Sequence, residues 1–316
     1  MQFSKYNMLA GVLLAAGALT AHADSINPPT TPQVAPMSAS EQKNLDMVLT
    51  WWREVIQGRH LDLSPKYQAE DYIQHNPNIA TGRAAFLKFF GTFGPPVNPI
   101  PAKLSPEPVV RGARGDFVWL IWEHQAKDPR DPSKTYYYNS FDILRIQNGK
   151  VQEHWDDAKK AADSKTVIEQ MPGSQSKGST GKLSKQEEHN LSLATEELKD
   201  MLQYGHLELA DKTMDPGYLQ HNPNVPQGRD GFKQFMSRVP GRTPEEIKPE
   251  WKNAPSLTLV NGPYVVFMWD RKDKDPADMS KEYTWNHFDV VRVDGQIKEH
   301  WDEARINPPQ AGGKKQ

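Results

Sequence analysis

Two short segments carry the residue types best suited to acid–base chemistry, and each occurs twice. Tyr72–Asn78 reads Tyr-Ile-Gln-His-Asn-Pro-Asn and recurs at Tyr218–Asn224, while Glu-His-Trp-Asp occurs at Glu153–Asp156 and again at Glu299–Asp302. A carboxylate that removes a proton beside a carbonyl needs a pKa raised from about 3.9 toward neutrality, which burial against apolar surface supplies. An imidazole or amide can then hold the enolate oxygen. The segments therefore predict an acid–base site in each half of the chain.

The closing aspartates of these segments, Asp156 and Asp302, are the predicted bases, and His75 and His221 are predicted to polarise the substrate oxygen. Further substrate contacts are predicted at Tyr72, Asn76, His154, Trp155, Tyr218, Asn222, His300 and Trp301.

Each of these residues also has a purely structural interpretation. Asn76 could bond its own backbone in a turn, and Trp155 and Trp301 could belong to the core. Asp142 and Asp289 remain alternative buried acids. No His-x-x-x-His pair accompanies the histidines, so we predict no metal site. Phosphate-binding glycine loops and other cofactor signatures are absent, so we expect no cofactor.

The two halves match well beyond these segments. Gly82-Arg83 recurs as Gly228-Arg229, and Phe141–Arg145 recurs as Phe288–Arg292. The offset stays at 146 or 147 residues and the order is kept. Self-similarity at a fixed offset indicates a duplicated structural unit.

Each unit begins with helical periodicity and ends with strand patterns. Ser40 is a predicted N-cap of a helix reaching about Gln57, with its counterpart starting at Ser184. Four strands follow later in the unit, which predicts an α+β domain with helices packed on one antiparallel sheet.

A turn at Asn148-Gly149 predicts that the last two strands pair Ile146 with Val151, Ile143 with His154, and Phe141 with Asp156. Alternation along the strands then places His154 and Asp156 on one face of the sheet. It places Glu153, Trp155 and Asp142 on the other face.

These motifs resemble the SnoaL-like polyketide cyclases of the nuclear transport factor 2-like superfamily. The resemblance rests on the helical start, the Tyr-x-Gln-His-Asn-Pro segment, Phe-Asp-x-x-Arg and Glu-His-Trp-Asp. It implies two tandem cone-shaped α+β barrels, each with a pocket for a small apolar molecule. It also implies cofactor-free acid–base chemistry, such as aldol-type cyclisation or isomerisation, on a carbonyl compound. The alternative is a non-catalytic ligand-binding or scaffold module whose two domains pair within the chain.

The remaining segments predict how the chain is organised. Lys5, an apolar run from Met8 to Leu19, and Ala21-His22-Ala23 are typical of a signal peptide over 1–23, which predicts export to the periplasm or medium. We then expect an extended leader (24–37), a first domain (38–165), a flexible linker (166–183), a second domain (184–306) and a disordered tail (307–316).

Composition narrows the partners of the protein. The chain has no cysteine and a formal net charge of -2, which gives no reason to expect a nucleic-acid partner. The apolar run near the N-terminus is too short for a transmembrane anchor, which needs roughly 20 residues. We expect a small apolar ligand and pairing of the two domains, with homo-oligomers as a further option.

Overall fold

The computed structural model describes residues 25–165, 168, 178 and 180–307. The predicted signal peptide lies outside the described residues, as do most of the predicted linker and nearly all of the predicted tail. Within the described part, no helix is long and apolar enough to cross a membrane.

Both halves contain helices followed by antiparallel strands, which confirms the predicted α+β class. The first half contains β1 (Gln33–Val34), α1 (Ala39–Trp51), α2 (Ser64–Tyr67), β2 (Gln68–Gln74), α3 (Arg83–Phe90), β3 (Val110–Arg114), β4 (Phe117–Asp128), β5 (Asp131–Gln147) and β6 (Lys150–Asp156). The second half contains α4 (Lys185–Thr195), α5 (Ala210–Thr213), β7 (Met214–Gln220), α6 (Arg229–Met236), β8 (Leu257–Asn261), β9 (Tyr264–Asp275), β10 (Asp278–Asp294) and β11 (Gln296–Asp302). A π-helical segment extends α1 over Trp52–Gln57 and α4 over Glu196–Met201.

A capping box starts the long helix of each half. Ser38 caps α1: its side chain accepts from the Glu41 backbone N–H, and the Glu41 side chain accepts from the Ser38 backbone N–H. The predicted cap at Ser40 is therefore wrong by two residues, because only Ser38 has a Glu three positions later. Ser184 and Glu187 form the same box at the start of α4, and Ser184 is where the start of this helix was predicted.

The sheets have strand orders β1-β3-β4-β5-β6-β2 and β7-β11-β10-β9-β8. Between β5 and β6, Ile146 pairs with Val151 as predicted. A β-bulge beside Arg145 then shifts the register by one residue. His154 consequently pairs with Leu144, and Asp156 pairs with Asp142.

This bulge corrects two predictions. The expected pairs of Ile143 with His154 and of Phe141 with Asp156 do not form. Since directly paired residues share a sheet face, Asp142 lies on the same face as Asp156, not on the opposite face. The two alternative acids of the first domain therefore belong to one site.

The helices cover one face of each sheet, and the other two faces meet each other. One buried cluster contains residues of both domains, including Trp155 and Trp301. Within this cluster, Phe141 and Phe288 stack with ring centroids 5.5 Å apart. Burial of this much aromatic surface holds the two domains on a shared core.

The residues that precede α1 form a segment, here called the N-terminal strap (residues 25–37), that contacts both domains. β1 within it pairs in parallel with β3 of the first domain. The Gln33 side chain reaches the second domain, where its Nε2 donates to Glu299 at 3.1 Å and its Oε1 accepts from the Tyr264 hydroxyl at 2.6 Å. The predicted leader is thus an ordered connection between the domains.

Candidate functional site

The first domain contains a cavity of about 60 Å³ between its helices and the helix-covered face of the sheet. Its apolar wall is formed mainly by Trp51, Trp52, Ile56, Ile79, Phe86, Phe89, Phe90 and Phe141. Its polar wall is formed by Tyr72, Gln74, Asn76, Ser140, Asp142, His154, Asp156 and Asp157. A water molecule needs roughly 10–15 Å³ measured in this way, so the cavity holds several waters or a small organic group.

Asp142 and His154 form a buried pair on this polar wall. His154 Nε2 lies 2.6 Å from Asp142 Oδ1, and Trp122 Nε1 donates to Asp142 Oδ2 at 2.7 Å. Burial raises the pKa of Asp142 to about 6, although the hydrogen bond and charge of His154 act in the opposite direction. Burial would lower the pKa of His154, but the Asp142 hydrogen bond and the nearby carboxylates raise it.

Gln74 fixes the proton on the other ring nitrogen of His154. The Asn76 backbone N–H donates to Gln74 Oε1 at 3.0 Å, and Gln74 Nε2 donates to the Tyr72 hydroxyl at 2.9 Å. His154 Nδ1 lies 3.0 Å from the same Oε1, which can only accept. Nδ1 therefore carries a proton, and a second proton is shared between His154 and Asp142.

Asp156 is a carboxylate of the polar wall that keeps lone pairs for a ligand. Asn76 Nδ2 donates to its Oδ2 at 2.8 Å, and the Ala158 backbone N–H donates to its Oδ1 at 3.1 Å. A carboxylate has about four acceptor positions, so these contacts orient Asp156 without filling it. Asp156 is partly exposed, whereas Asp142 is buried.

The Tyr72 hydroxyl is a donor for which the described residues provide no acceptor. It is fully buried and accepts from Gln74, but no group among the described residues accepts its own proton. Burial, and then the charges of Asp156 and Asp142, raise the pKa of Tyr72 well above its ordinary value. The hydroxyl therefore keeps its proton at neutral pH. Trp51, another wall residue, has a buried Nε1 that also has no hydrogen-bond partner within the part of the chain that the structure describes.

His75 and Trp155 do not lie on this cavity. The His75 ring stacks on Trp155 at 4.9 Å, and its Nε2 contacts Glu153 Oε1 at 2.9 Å on the opposite face of the sheet. The predicted convergence of His75 on Asp156 is therefore wrong, because the segment turns between Gln74 and Asn76. Of the predicted residues in the first domain, Tyr72, Asn76, His154 and Asp156 meet at the cavity.

The same division holds in the second domain. The His221 ring stacks on Trp301 at 4.9 Å and contacts Glu299 at 2.8 Å, away from the cavity. Thr30 of the N-terminal strap lies 3.0 Å from His221 Nδ1 and accepts from Trp301 Nε1 at 3.2 Å. His221 and Trp301 thus belong to the contact between strap and domain.

The second domain has its own cavity of about 230 Å³. It is lined by Leu198, Leu202, Gln203, Gln220, Phe232, Met236, Arg242, Trp269, Arg271, His287, Asp289, His300 and Asp302. Asn222 Nδ2 donates to Asp302 Oδ2 at 2.8 Å, which matches the contact between Asn76 and Asp156. Burial raises the pKa of Asp302, partly offset by His300.

Charge is distributed differently in the second cavity. Asp289 contacts His300 Nε2 at 2.8 Å and His287 Nε2 at 2.9 Å. Burial opposes ionisation of Asp289, but the charge of His287 and the hydrogen bonds of both histidines hold its pKa well below the ordinary value. Burial would lower the pKa of His300, whereas the Asp289 hydrogen bond and carboxylate raise it to about 9. Asp289 is therefore a carboxylate between two imidazolium groups.

Comparison with known proteins supports the resemblance seen in the sequence for the first domain. Residues 48–154 match the family model of the SnoaL-like domain. The matched segment includes Tyr72, Asn76, Asp142 and His154 and ends two residues before Asp156. A search of curated proteins finds no match to the chain.

Several solved structures are similar to one domain of this chain. A predicted polyketide cyclase from Acidithiobacillus ferrooxidans is 19% identical, with 38% of this chain and 89% of that chain covered and a TM-score of 0.25. A predicted polyketide cyclase from Bacillus cereus is 16% identical, with 44% of this chain and 90% of that chain covered and a TM-score of 0.27. An NTF2-like protein of unknown function from Mesorhizobium loti is 14% identical, with 40% of this chain and 99% of that chain covered and a TM-score of 0.28.

Each cavity also has a group of residues with metal-ligand chemistry. Asp142, His154 and Asp156 each offer one ligand atom, and these atoms lie within 4.8 Å of one another. Asp289, His300 and Asp302 form the equivalent group. Both ring nitrogens of His154 already face protein partners, Gln74 and Asp142. A metal ion would have to replace one of these hydrogen bonds.

Three functional positions were not assigned from the sequence. Gln74 connects His154 to Tyr72, Trp122 holds Asp142, and Glu197 accepts from the Tyr218 hydroxyl. Gln74 lies within the repeated Tyr-x-Gln-His-Asn-Pro segment, where the two-residue spacing from Tyr72 to Gln74 to Asn76 indicates one face of a strand. That spacing predicts Gln74, and not His75, on the same face as Tyr72 and Asn76.

Proposed function

We propose that the first domain binds a small, largely apolar carbonyl compound and moves a proton at the carbon beside its carbonyl group. The observation that carries this proposal is the convergence of an oriented carboxylate, Asp156, and a donor without an acceptor, Tyr72, on one aromatic-lined cavity. A carbonyl oxygen supplies the acceptor that the Tyr72 proton lacks, and an aromatic wall suits an apolar body.

In this proposal Asp156 is the general base. It removes a proton from the carbon next to the carbonyl, and the C–H electron pair moves to form an enolate. The Tyr72 hydroxyl donates to the oxygen as charge develops there, which is the contact that lowers the barrier. Return of the proton from Asp156 to carbon completes an isomerisation or exchange. Attack of the enolate on a second carbonyl of the same molecule would give an aldol-type ring closure instead.

The buried pair of Asp142 and His154 positions the other groups. His154 is hydrogen-bonded to Gln74, and Gln74 donates to the Tyr72 hydroxyl and so orients it. Asp142 and His154 can therefore act without contacting the substrate. Positioning through a second layer of hydrogen bonds keeps a donor within the tolerance that catalysis requires.

A proton-exchange assay tests this function without knowledge of the natural substrate. Phenylacetone is dissolved in D₂O, and loss of its C1 protons is followed by NMR with and without protein. We expect exchange above the buffer rate, and a loss of about 10²- to 10⁴-fold of the catalysed rate in D156N, as for removal of a general base. D302N is the matched control, because it makes the same change in the second domain and should keep the rate.

The outcomes separate catalysis from binding. Saturable binding of phenylacetone with no catalysed exchange would favour a ligand-binding module over an enzyme. Exchange that survives in D156N would exclude Asp156 as the base.

We also propose that the protein is exported after cleavage behind Ala23. The support is the order of a basic residue, an apolar run and Ala21-His22-Ala23. Cleavage there would keep the first described contacts of the strap, such as Ile26 N–H to Thr135 O at 2.9 Å. N-terminal sequencing of protein from the periplasmic fraction should give Asp24 first. A start at Met1 would contradict export by this signal.

A further inference from the structure

Two arginines line the cavity of the second domain. Arg271 lies on β9, and Arg242 lies in the loop that follows α6. Among the residues that the structure describes, neither guanidinium has a hydrogen-bond or ion-pair partner. Both are only partly exposed, and burial lowers the pKa of Arg242. A partly desolvated charge without a partner costs free energy unless a ligand supplies one.

The carboxylates on the same cavity do not neutralise these arginines. Asp289 lies between His287 and His300, at 2.9 and 2.8 Å. Asp302 accepts from Asn222 and from the Ala304 backbone N–H. The acidic groups are therefore oriented by other donors and do not contact the arginines, so within the described residues the two guanidinium groups are cationic donors of the cavity that have no partner.

The first domain lacks this feature at both positions. The position of Arg271 is occupied by His124, which contacts Ser140 at 2.8 Å. Burial lowers the pKa of His124 to about 4, so it is neutral at pH 7. The chain after α3 contains no lysine or arginine from 91 to 102. The cationic groups are thus specific to the second copy.

We propose that the second cavity is a binding site for an organic carboxylate with a small apolar body. A guanidinium presents paired N–H donors that match the two oxygens of a carboxylate. Leu198, Leu202, Phe232 and Met236 supply an apolar wall for the rest of the ligand. This inference concerns a different cavity from the proposed catalytic one and does not depend on it.

Ligand-observed fluorine NMR tests the proposal on the full mature chain. The probe is 4-fluorobenzoate, and 4-fluorobenzamide is its neutral analogue of the same shape. We expect the benzoate to bind at least tenfold more tightly than the benzamide, with an affinity that falls as sodium chloride rises. R242Q and R271Q should each weaken benzoate binding at least tenfold.

R238Q is the matched control, since it removes the same charge from an exposed position in the same loop. It should leave benzoate binding unchanged. R242Q and R271Q should also keep or raise the thermal unfolding midpoint of the free protein, because each removes an unpaired charge. If R271Q fails to fold, R271K takes its place. It keeps the charge and should therefore retain part of the benzoate binding.

The proposal would be overturned by equal binding of benzoate and benzamide, by wild-type affinity in the R242Q R271Q double variant, or by the absence of saturable benzoate binding. Binding of inorganic phosphate in preference to benzoate would also overturn the carboxylate assignment.

Discussion

Tyr218 donates a hydrogen bond of 2.8 Å to the buried side chain of Glu197, whereas Tyr72 has no such acceptor because Trp51 occupies the position equivalent to Glu197. Both tyrosines are fully buried, and both accept from the glutamine two residues later. The two domains therefore use one tyrosine position differently. In the second domain the hydroxyl proton is bound within the protein, and in the first it remains available to a ligand.

Replacement of each tyrosine by phenylalanine should separate these roles. Y72F should lower catalysed phenylacetone exchange about 10²- to 10³-fold, as for loss of one donor to a developing oxyanion. Y218F should keep the exchange rate. It should be less stable than Y72F by about 1–3 kcal/mol, because only Y218F leaves the buried Glu197 without its donor. Exchange rates and urea unfolding of both variants provide the measurement, and equal exchange losses would contradict the assignment.

His75 provides the converse test, because it is a repeated histidine that the fold places away from the cavity. H75Q should keep the catalysed exchange rate within about threefold, since the ring stacks on Trp155 and contacts Glu153. It should lower the free energy of unfolding by about 1 kcal/mol through loss of a net hydrogen bond. A loss of exchange as large as that of D156N, without loss of stability, would restore His75 as a catalytic residue.

The sequence predicted the fold better than it predicted the site. Periodicity and the repeat indicated the long helices and the last four strands of each unit, but not β2 and β7, which complete the sheets. The local hydrogen bonding near Arg145 was not predictable, because a bulge adds one residue without a distinctive residue type. That single residue moved Asp142 to the face of His154 and Asp156. The placement of His75 was wrong for a simpler reason. Successive side chains of a strand point to opposite faces, so His75 lies on the face opposite Gln74 and Asn76.

The contacts of the strap were also not predictable from composition, because a segment rich in proline and threonine predicts an extended leader but not the residues to which it binds. Its order comes from long-range contacts with the second domain, and Thr30 is at their centre. Trp301 Nε1 donates to the Thr30 hydroxyl, and that hydroxyl lies 3.0 Å from His221 Nδ1. His221 Nε2 lies 2.8 Å from Glu299 on its other side.

T30V should lower the free energy of unfolding by about 1–3 kcal/mol, because it keeps the shape of Thr30 and removes the partner of two buried groups. T30S keeps the hydroxyl and should be within about 0.5 kcal/mol of the wild type, the usual range of mild substitutions. Urea unfolding of the mature chain measures both. Equal stability of T30V and T30S would show that the hydroxyl contacts contribute nothing.

The raised pKa of His300 predicts a pH dependence of stability that belongs to the second domain. Its pKa is about 9 in the folded protein against 6.5 in the unfolded chain, because the Asp289 hydrogen bond and the charges of Asp289, Glu197 and Asp302 outweigh burial. A base whose pKa is raised on folding binds its proton more tightly in the folded state. The stabilisation is therefore complete below pH 6.5 and is lost as pH rises through 9.

Thermal unfolding midpoints between pH 6 and pH 9 test this dependence. The wild type should lose stability across the interval, with His300 contributing at most roughly 3 kcal/mol. H300Q should show a shallower decline, and part of the decline should remain because Asp289 and Glu303 raise the pKa of His287 as well. H189Q is a suitable control, since it removes an exposed histidine of α4 and should retain the full decline. Identical slopes of the unfolding midpoint against pH for the wild type and H300Q would mean that His300 is not protonated at neutral pH. The charge of Asp289 would then be compensated by His287 alone.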